Sequence, residues 1–149
     1  MILLTRWQAS SIIATIIIVA IIDEAAFDQI KEVMYKDVQS LLPLTPTVFH
    51  MLLALADGEK HGYGIMQTVE EETQGKMQIR TGSLYGSIRR MIEAGLIEEI
   101  NERPDPELDD ERRRYYGLTD FGRLVLTAEA ARIAQAIVVI QDKHILGGV

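Results

Sequence analysis

The sequence predicts a mainly α fold with a small β-hairpin (α+β), and three observations predict it. Three helix-like segments, punctuated by glycine and proline, fill residues 44 to 95. Two short strand-like runs follow, LIEEI at 96–100 and RRRYYGL at 112–118. A long segment with an apolar stripe at helical spacing then closes the chain from Thr119. Helix, helix, helix, strand, loop, strand is the order of a winged helix-turn-helix, and the last segment adds a long C-terminal helix. The boundaries are an N-terminal extension at 1–40, a winged-helix domain at 41–118 and a dimerisation helix at 119–149.

The first forty residues differ from the rest. Trp7 to Ile22 is a charge-free run of sixteen, short of the roughly twenty apolar residues that span a bilayer. A signal peptide would begin basic and end at small residues, and only Arg6 and Ala25-Ala26 correspond. Three readings stay open: a start set too far upstream, with Met34 as the true start; a membrane or interface segment at 7–22; or a helix packed on the body.

Thr45 and Pro46 suit the cap and first position of a helix ending at Gly58, because proline lacks an N–H that is not needed there. Val48, Phe49, Met51, Leu52, Leu53 and Leu55 make that helix apolar almost all round, which places it centrally. HGYG at 61–64 opens a second helix, with Ile65, Met66 and Val69 inward, Glu70 to Glu72 outward and Gly75 closing it. The third helix lies in TGSLYGSIRRMIEAG, from Thr81. At 100° per residue Leu84, Ile88, Met91, Ile92 and Gly95 share its core side, while Gly82, Ser83, Gly86, Arg89 and Arg90 share the other. Tyr85 and Ser87 fall at the margins of that outer face.

The outer face is therefore small, donor-rich and cationic. Small residues allow close approach to another molecule, arginines can fork onto phosphate or guanine, and hydroxyls can reach phosphates. The hairpin adds Arg112, Arg113 and Arg114 at the base of its second strand. Its tip holds Glu102, Asp105, Glu107, Asp109, Asp110 and Glu111 against Arg103 alone, so the base and not the tip suits a phosphate surface.

Charge sets the scale of that attraction. The chain of 149 residues carries a formal net charge of −7, and Thr47 to Leu118 holds nine basic against fourteen acidic residues. Binding to nucleic acid must then rest on a local basic face and fall steeply with salt. The last helix, from Asp120 to about Leu146, would be about 40 Å long and would overhang so small a domain. Its stripe of Phe121, Leu124, Val125, Ala128, Ile133, Ala136, Ile137 and Ile140 calls for a partner, and a symmetric dimer is the usual answer. The competing account folds the stripe back onto the first helix or the extension.

Other chemistries find little. With no cysteine there is no disulfide, thiolate zinc site or cysteine nucleophile, and His50, His61 and His144 lack metal-ligand spacing. Glu70 to Glu72 have no histidine or lysine placed to complete an acid–base pair. No catalytic residue, metal or cofactor is expected. The stronger competitor is a winged helix used for protein contact, against which the small, cationic outer face argues.

LPLTPTVFHMLLALADGEKHGYGIMQTVEE, TGSLYGSIRRMIEAGLIEE and ERRRYYGLTDFGRLVL together resemble the PadR family of bacterial winged-helix transcriptional regulators, in the short form with a single C-terminal helix. The match runs from about Leu42 to Leu126, and the combination of HGY, G-[ST]-LY, GLI and RRYY-x-LT-x-x-G makes it specific. The resemblance implies a cytoplasmic homodimeric repressor that binds a palindromic operator in double-stranded DNA and is released by a small effector between subunits. Carried onto this sequence it implies DNA contacts from Tyr63, Thr81, Ser83, Tyr85, Ser87, Arg89, Arg90 and Arg112 to Arg114. It implies dimerisation through Phe121, Leu124, Val125, Ala128, Ile133, Ile137 and Ile140. Gly86 stands where proline is frequent in the family, which implies a less rigid start to the third helix. Family chains begin shortly before the LPLT-like stretch, which favours Met34 as the start.

Overall fold

The computed structural model describes residues 24–100 and 114–146. The chain divides into two compact units, Met1–Asp37 and Val38–Val149. In the first, helix α1 begins; it spans Glu24–Ser40, and its apolar Ile30, Val33, Met34 and Tyr35 are exposed. The Trp7–Ile22 run lies outside the described residues.

The second unit is built from α2 (Pro46–Ala54), β1 (Lys60–His61), α3 (Gly62–Glu72), α4 (Thr81–Glu93), β2 (Ile97–Ile100), β3 (Tyr115–Leu118) and α5 (Asp120–Asp142). It is mostly helical with one small antiparallel sheet. Thr45 caps α2 as expected, its hydroxyl accepting from the Val48 N–H at 3.4 Å with Pro46 opening the helix. The helix ends at Ala54, earlier than Gly58, because Leu55 to Gly58 wind off in turns before Gly58 takes φ 141°. Met51, Leu52, Ala54 and Leu55 are buried, and α2 packs on both α3 and α5.

His61 caps α3 through its own ring, Nδ1 accepting from the Gly64 N–H at 2.9 Å. Gln74 and Gly75 turn left-handed after it, and the Gly75 N–H returns to the Glu70 carbonyl at 2.8 Å. Helix α4 closes in the same manner. Gly95 has φ 71°, its N–H reaches the Ile92 carbonyl, and the Leu96 N–H reaches the Met91 carbonyl, both at 2.9 Å. Leu84, Ile88 and Met91 are buried as expected; Ile92 and Gly95, assigned to the same side, are exposed.

The hairpin pairs Ile97 with Leu118 through to Ile100 with Tyr115. A third strand was not expected: Lys60 and His61 pair with Tyr116 and Tyr115, so β3 is central in the order β1-β3-β2. Two residues are too few to show an alternating pattern. The acidic tip of the wing lies outside the described residues.

Thr119 caps α5, accepting from the Gly122 N–H at 2.9 Å. The helix stops at Asp142, some four residues before the expected end, with His144 left-handed beyond it. Its first turns belong to the chain's own core. Val125 and Leu126 are buried, and Phe121 and Ala128 pack against the same cluster, which corrects the assignment of Phe121, Val125 and Ala128 to a face awaiting a partner. Leu124, Ile137, Val138 and Val139 are exposed, and Ile133 and Ile140 are partly so. By length and composition alone α5 could cross a membrane. Within this helix Glu129 is buried and held on both carboxylate oxygens by Arg132 at 2.7 and 2.8 Å.

Candidate nucleic-acid interface

The α4 helix starts without a side-chain cap. Arg80 precedes it in extended backbone, and its carbonyl accepts from the Ser83 and Leu84 N–H groups, both at 2.9 Å. The first turn, Thr81, Gly82 and Ser83, is exposed, and a Cβ built on Gly82 would meet nothing within 4 Å. An open first turn offers the Thr81 and Gly82 N–H groups and the positive end of the helix dipole to an anion. Arg80 was not among the expected contacts. Its side chain is exposed directly before Thr81-Gly82.

Behind that turn, Leu84, Ile88 and Met91 lock α4 onto the core. Gly62 lets the helix close on α3, since a Cβ there would lie 3.2 Å from the Leu84 side chain and 3.5 Å from the Tyr85 ring. Tyr85 remains exposed, as does Tyr63 at the start of α3. The Tyr63 ring lies nearly parallel to that of His61, centroids 6.5 Å apart, and His61 meets the Tyr115 ring edge-on at 5.5 Å. The beginnings of α3 and β3 are thereby tied together next to α4.

One expected contact is not available. Ser87 is only 4% exposed, and its hydroxyl accepts from Arg90 Nη2 at 3.2 Å, so it steadies an arginine and does not face outward. Ser87 lies three residues after Leu84 and four before Met91, and the margin of the outer face to which its angle assigns it is covered by the core.

Arg89 and Arg90 are both exposed. Arg89 Nε lies 3.3 Å from Glu93 on the same helix, and Arg114 Nη1 lies 3.4 Å from Glu99 across the hairpin. Arg112 and Arg113 lie outside the described residues. Beneath the Arg114–Glu99 pair, burial pushes the Tyr116 phenol above its usual value; Glu99 and Tyr85 push the same way and Arg114 opposes them. These side chains form one electrostatic neighbourhood where the wing meets α4. Among the described residues no group of three or more acidic or histidine side chains is placed to hold a metal ion.

The arrangement offers hydroxyls, open helix N–H groups and guanidinium forks on one surface, the donor set that phosphate and guanine accept.

The family model for transcriptional regulators of the PadR-like family matches residues 51–128. An uncharacterised 37.1 kDa protein of transposon TN4556 from Streptomyces fradiae is 34% identical over 85 residues, 57% of this chain. The chain spans 22% of that relative's length. Among solved structures, a transcriptional regulator from Clostridium thermocellum superposes with a TM-score of 0.54 at 22% identity, covering 64% of this chain and 87% of that one. A PadR family transcription regulator from Clostridium difficile gives 0.54 at 20% identity, covering 66% and 97%. At such identity these likenesses speak for the fold.

Proposed function

The chain belongs to the PadR-like family of transcriptional regulators, and from that membership we propose that it represses transcription as a cytoplasmic homodimer, released from a palindromic operator by a small effector. That it is a DNA-binding regulator of winged-helix fold follows from the family itself.

The observation that carries the residue-level reading is the division of α4. Leu84, Ile88 and Met91 are buried, while Arg80, Thr81, Gly82, Ser83, Tyr85 and Arg89 are exposed. In this reading α4 enters the major groove, its first turn and Tyr63 meet the backbone, and Arg114 flanks it from the wing base, with Arg112 and Arg113 preceding Arg114 in the sequence. A docking surface for protein would want an apolar or acidic outer face on this helix; the exposed residues of its first turns are Thr81, Gly82, Ser83, Tyr85, Arg89 and Arg90, with the exposed Ile92 and Glu93 beyond them.

Dimerisation falls to the distal half of α5, where Ile133, Ile137 and Ile140 lie with the exposed Val138 and Val139. Two copies related by a twofold axis would present two α4 helices to two half-sites, which is why the operator should be an inverted repeat. An effector would lie between the subunits. The exposed Glu70 to Glu72, with Glu70 accepting from the Gln78 amide at 2.9 Å, fit a solvated helix end better than an acid–base site, and no enzymatic role is proposed.

Selection of duplexes from a random pool by the purified chain tests this. Enrichment of an inverted repeat is expected. Retention with no enriched sequence, or with a single half-site only, would contradict the dimeric operator.

A further inference from the structure

Two of the arginines on this surface are already in ion pairs. Arg89 is paired with Glu93 at 3.3 Å and Arg114 with Glu99 at 3.4 Å. Both arginines and Glu93 are well exposed, so a phosphate that reaches either guanidinium meets a carboxylate already beside it. The two pairs lie on separate elements, α4 and the hairpin, so they do not share a residue. Resting on the reading of α4 and the wing base as the DNA-facing surface, we propose that Glu93 and Glu99 are autoinhibitory counter-charges that hold down the chain's affinity for non-cognate DNA.

The competition is weak for each pair, and that makes it useful. An exposed ion pair is worth little in water, so DNA can displace it. The displaced carboxylate nevertheless stays within a few ångströms of the incoming phosphate, inside the Debye length of about 8 Å at physiological salt. It therefore continues to repel the phosphate after the arginine has changed partner. It also takes up a cation from solution, which offsets part of the counterion release that drives association. Affinity and its salt dependence should both be smaller than the arginines alone would give. The shift of Tyr116, on which Glu99 and Arg114 act with opposite sign, is a second sign that this carboxylate and this guanidinium act on one site.

The test uses the full chain and a random-sequence duplex, so no operator is needed. Fluorescence anisotropy across a salt series would compare the parent with Glu93→Gln, Glu99→Gln and the double variant. Glu71→Gln, on the exposed end of α3, controls for net charge alone. Each single change should tighten binding about two- to fivefold at low salt, with the double variant close to the product. Each should steepen the slope of log K against log salt by up to about 0.9. Unchanged or weaker binding in the Gln variants, or an equal gain in Glu71→Gln, overturns the proposal. Arg89→Ala and Arg114→Ala separate the two layers of the argument. If they weaken binding while the Gln variants do nothing, the DNA-facing surface stands and the counter-charge role falls; if they change nothing, the surface assignment falls and the proposal with it.

Discussion

The hydroxyl of Thr119 donates to the Gly95 carbonyl at 2.6 Å while accepting from the Gly122 N–H at 2.9 Å. Residues twenty-four apart are thereby fastened, so that the end of α4 and the start of α5 move as one piece. The same hydroxyl lies 3.2 Å from the Leu96 carbonyl, at the point where the chain passes from α4 to β2. Thr119→Ala should destabilise the fold by about 1–2 kcal/mol, and Thr119→Ser should recover most of it. Urea unfolding of the three proteins measures the difference.

Gly122 completes that corner. A Cβ added there would overlap the Leu96 carbonyl, whose carbon would lie at 2.7 Å and whose Cα at 3.1 Å. Backbone cannot swing aside as a side-chain tip can. Gly122→Ala should therefore cost about 1–3 kcal/mol despite alanine's better helix propensity. At Gly82, where a Cβ meets nothing within 4 Å, the same change should be neutral or stabilising. A thermal melt showing Gly122→Ala as stable as the parent would contradict the close approach.

Glu129 gives stability a defined pH dependence. The Arg132 guanidinium holds its carboxyl below the ordinary value of 4.5, with the Leu44 backbone N–H adding to the effect against the opposing cost of burial. The ionised form is thus favoured by folding. Its stabilisation is fully present above pH 4.5 and is lost as the pH falls through the lower folded-state value. Glu129→Gln should be less stable than the parent at neutral pH, and the gap should close in acid. A gap that widens on acidification would show that the pair has been misread.

Ile137, on the exposed stretch of α5, should matter for assembly and not for folding. Ile137→Asp should weaken self-association roughly ten- to hundredfold, the effect of losing one buried aliphatic side chain and adding a charge. Sedimentation velocity over a concentration series reads this directly. The melting of the winged-helix unit, monitored on the monomer, should be unchanged.

Much of this was legible in the chain. Thr45, His61 and Thr119 are caps in the structure because each precedes a helical run and has a side-chain atom that can accept from an N–H three residues on. Leu84, Ile88 and Met91 are buried because their spacing follows one face of a helix. The misreadings share a cause. Ser87 and Ile92 lie at opposite edges of the inner row, where 100° spacing does not say which edge the core covers; it covers Ser87 and leaves Ile92 exposed. Val125 shows the deeper limit, because an apolar stripe declares that something covers it without saying whether that is the chain's own core or another copy. The Glu93 and Glu99 ion pairs were hidden for the same reason, since a count of charges does not say which of them meet.

The central claim is that α4 binds DNA through its arginines. The most direct measurement is duplex binding by the parent and by the Arg89→Ala/Arg90→Ala double variant across a salt series. The account predicts affinity that falls steeply with salt in the parent, with a loss of at least about tenfold and a shallower slope in the variant, its oligomeric state unchanged. A flat salt response in the parent, or equal affinity and slope in the two proteins, would contradict it.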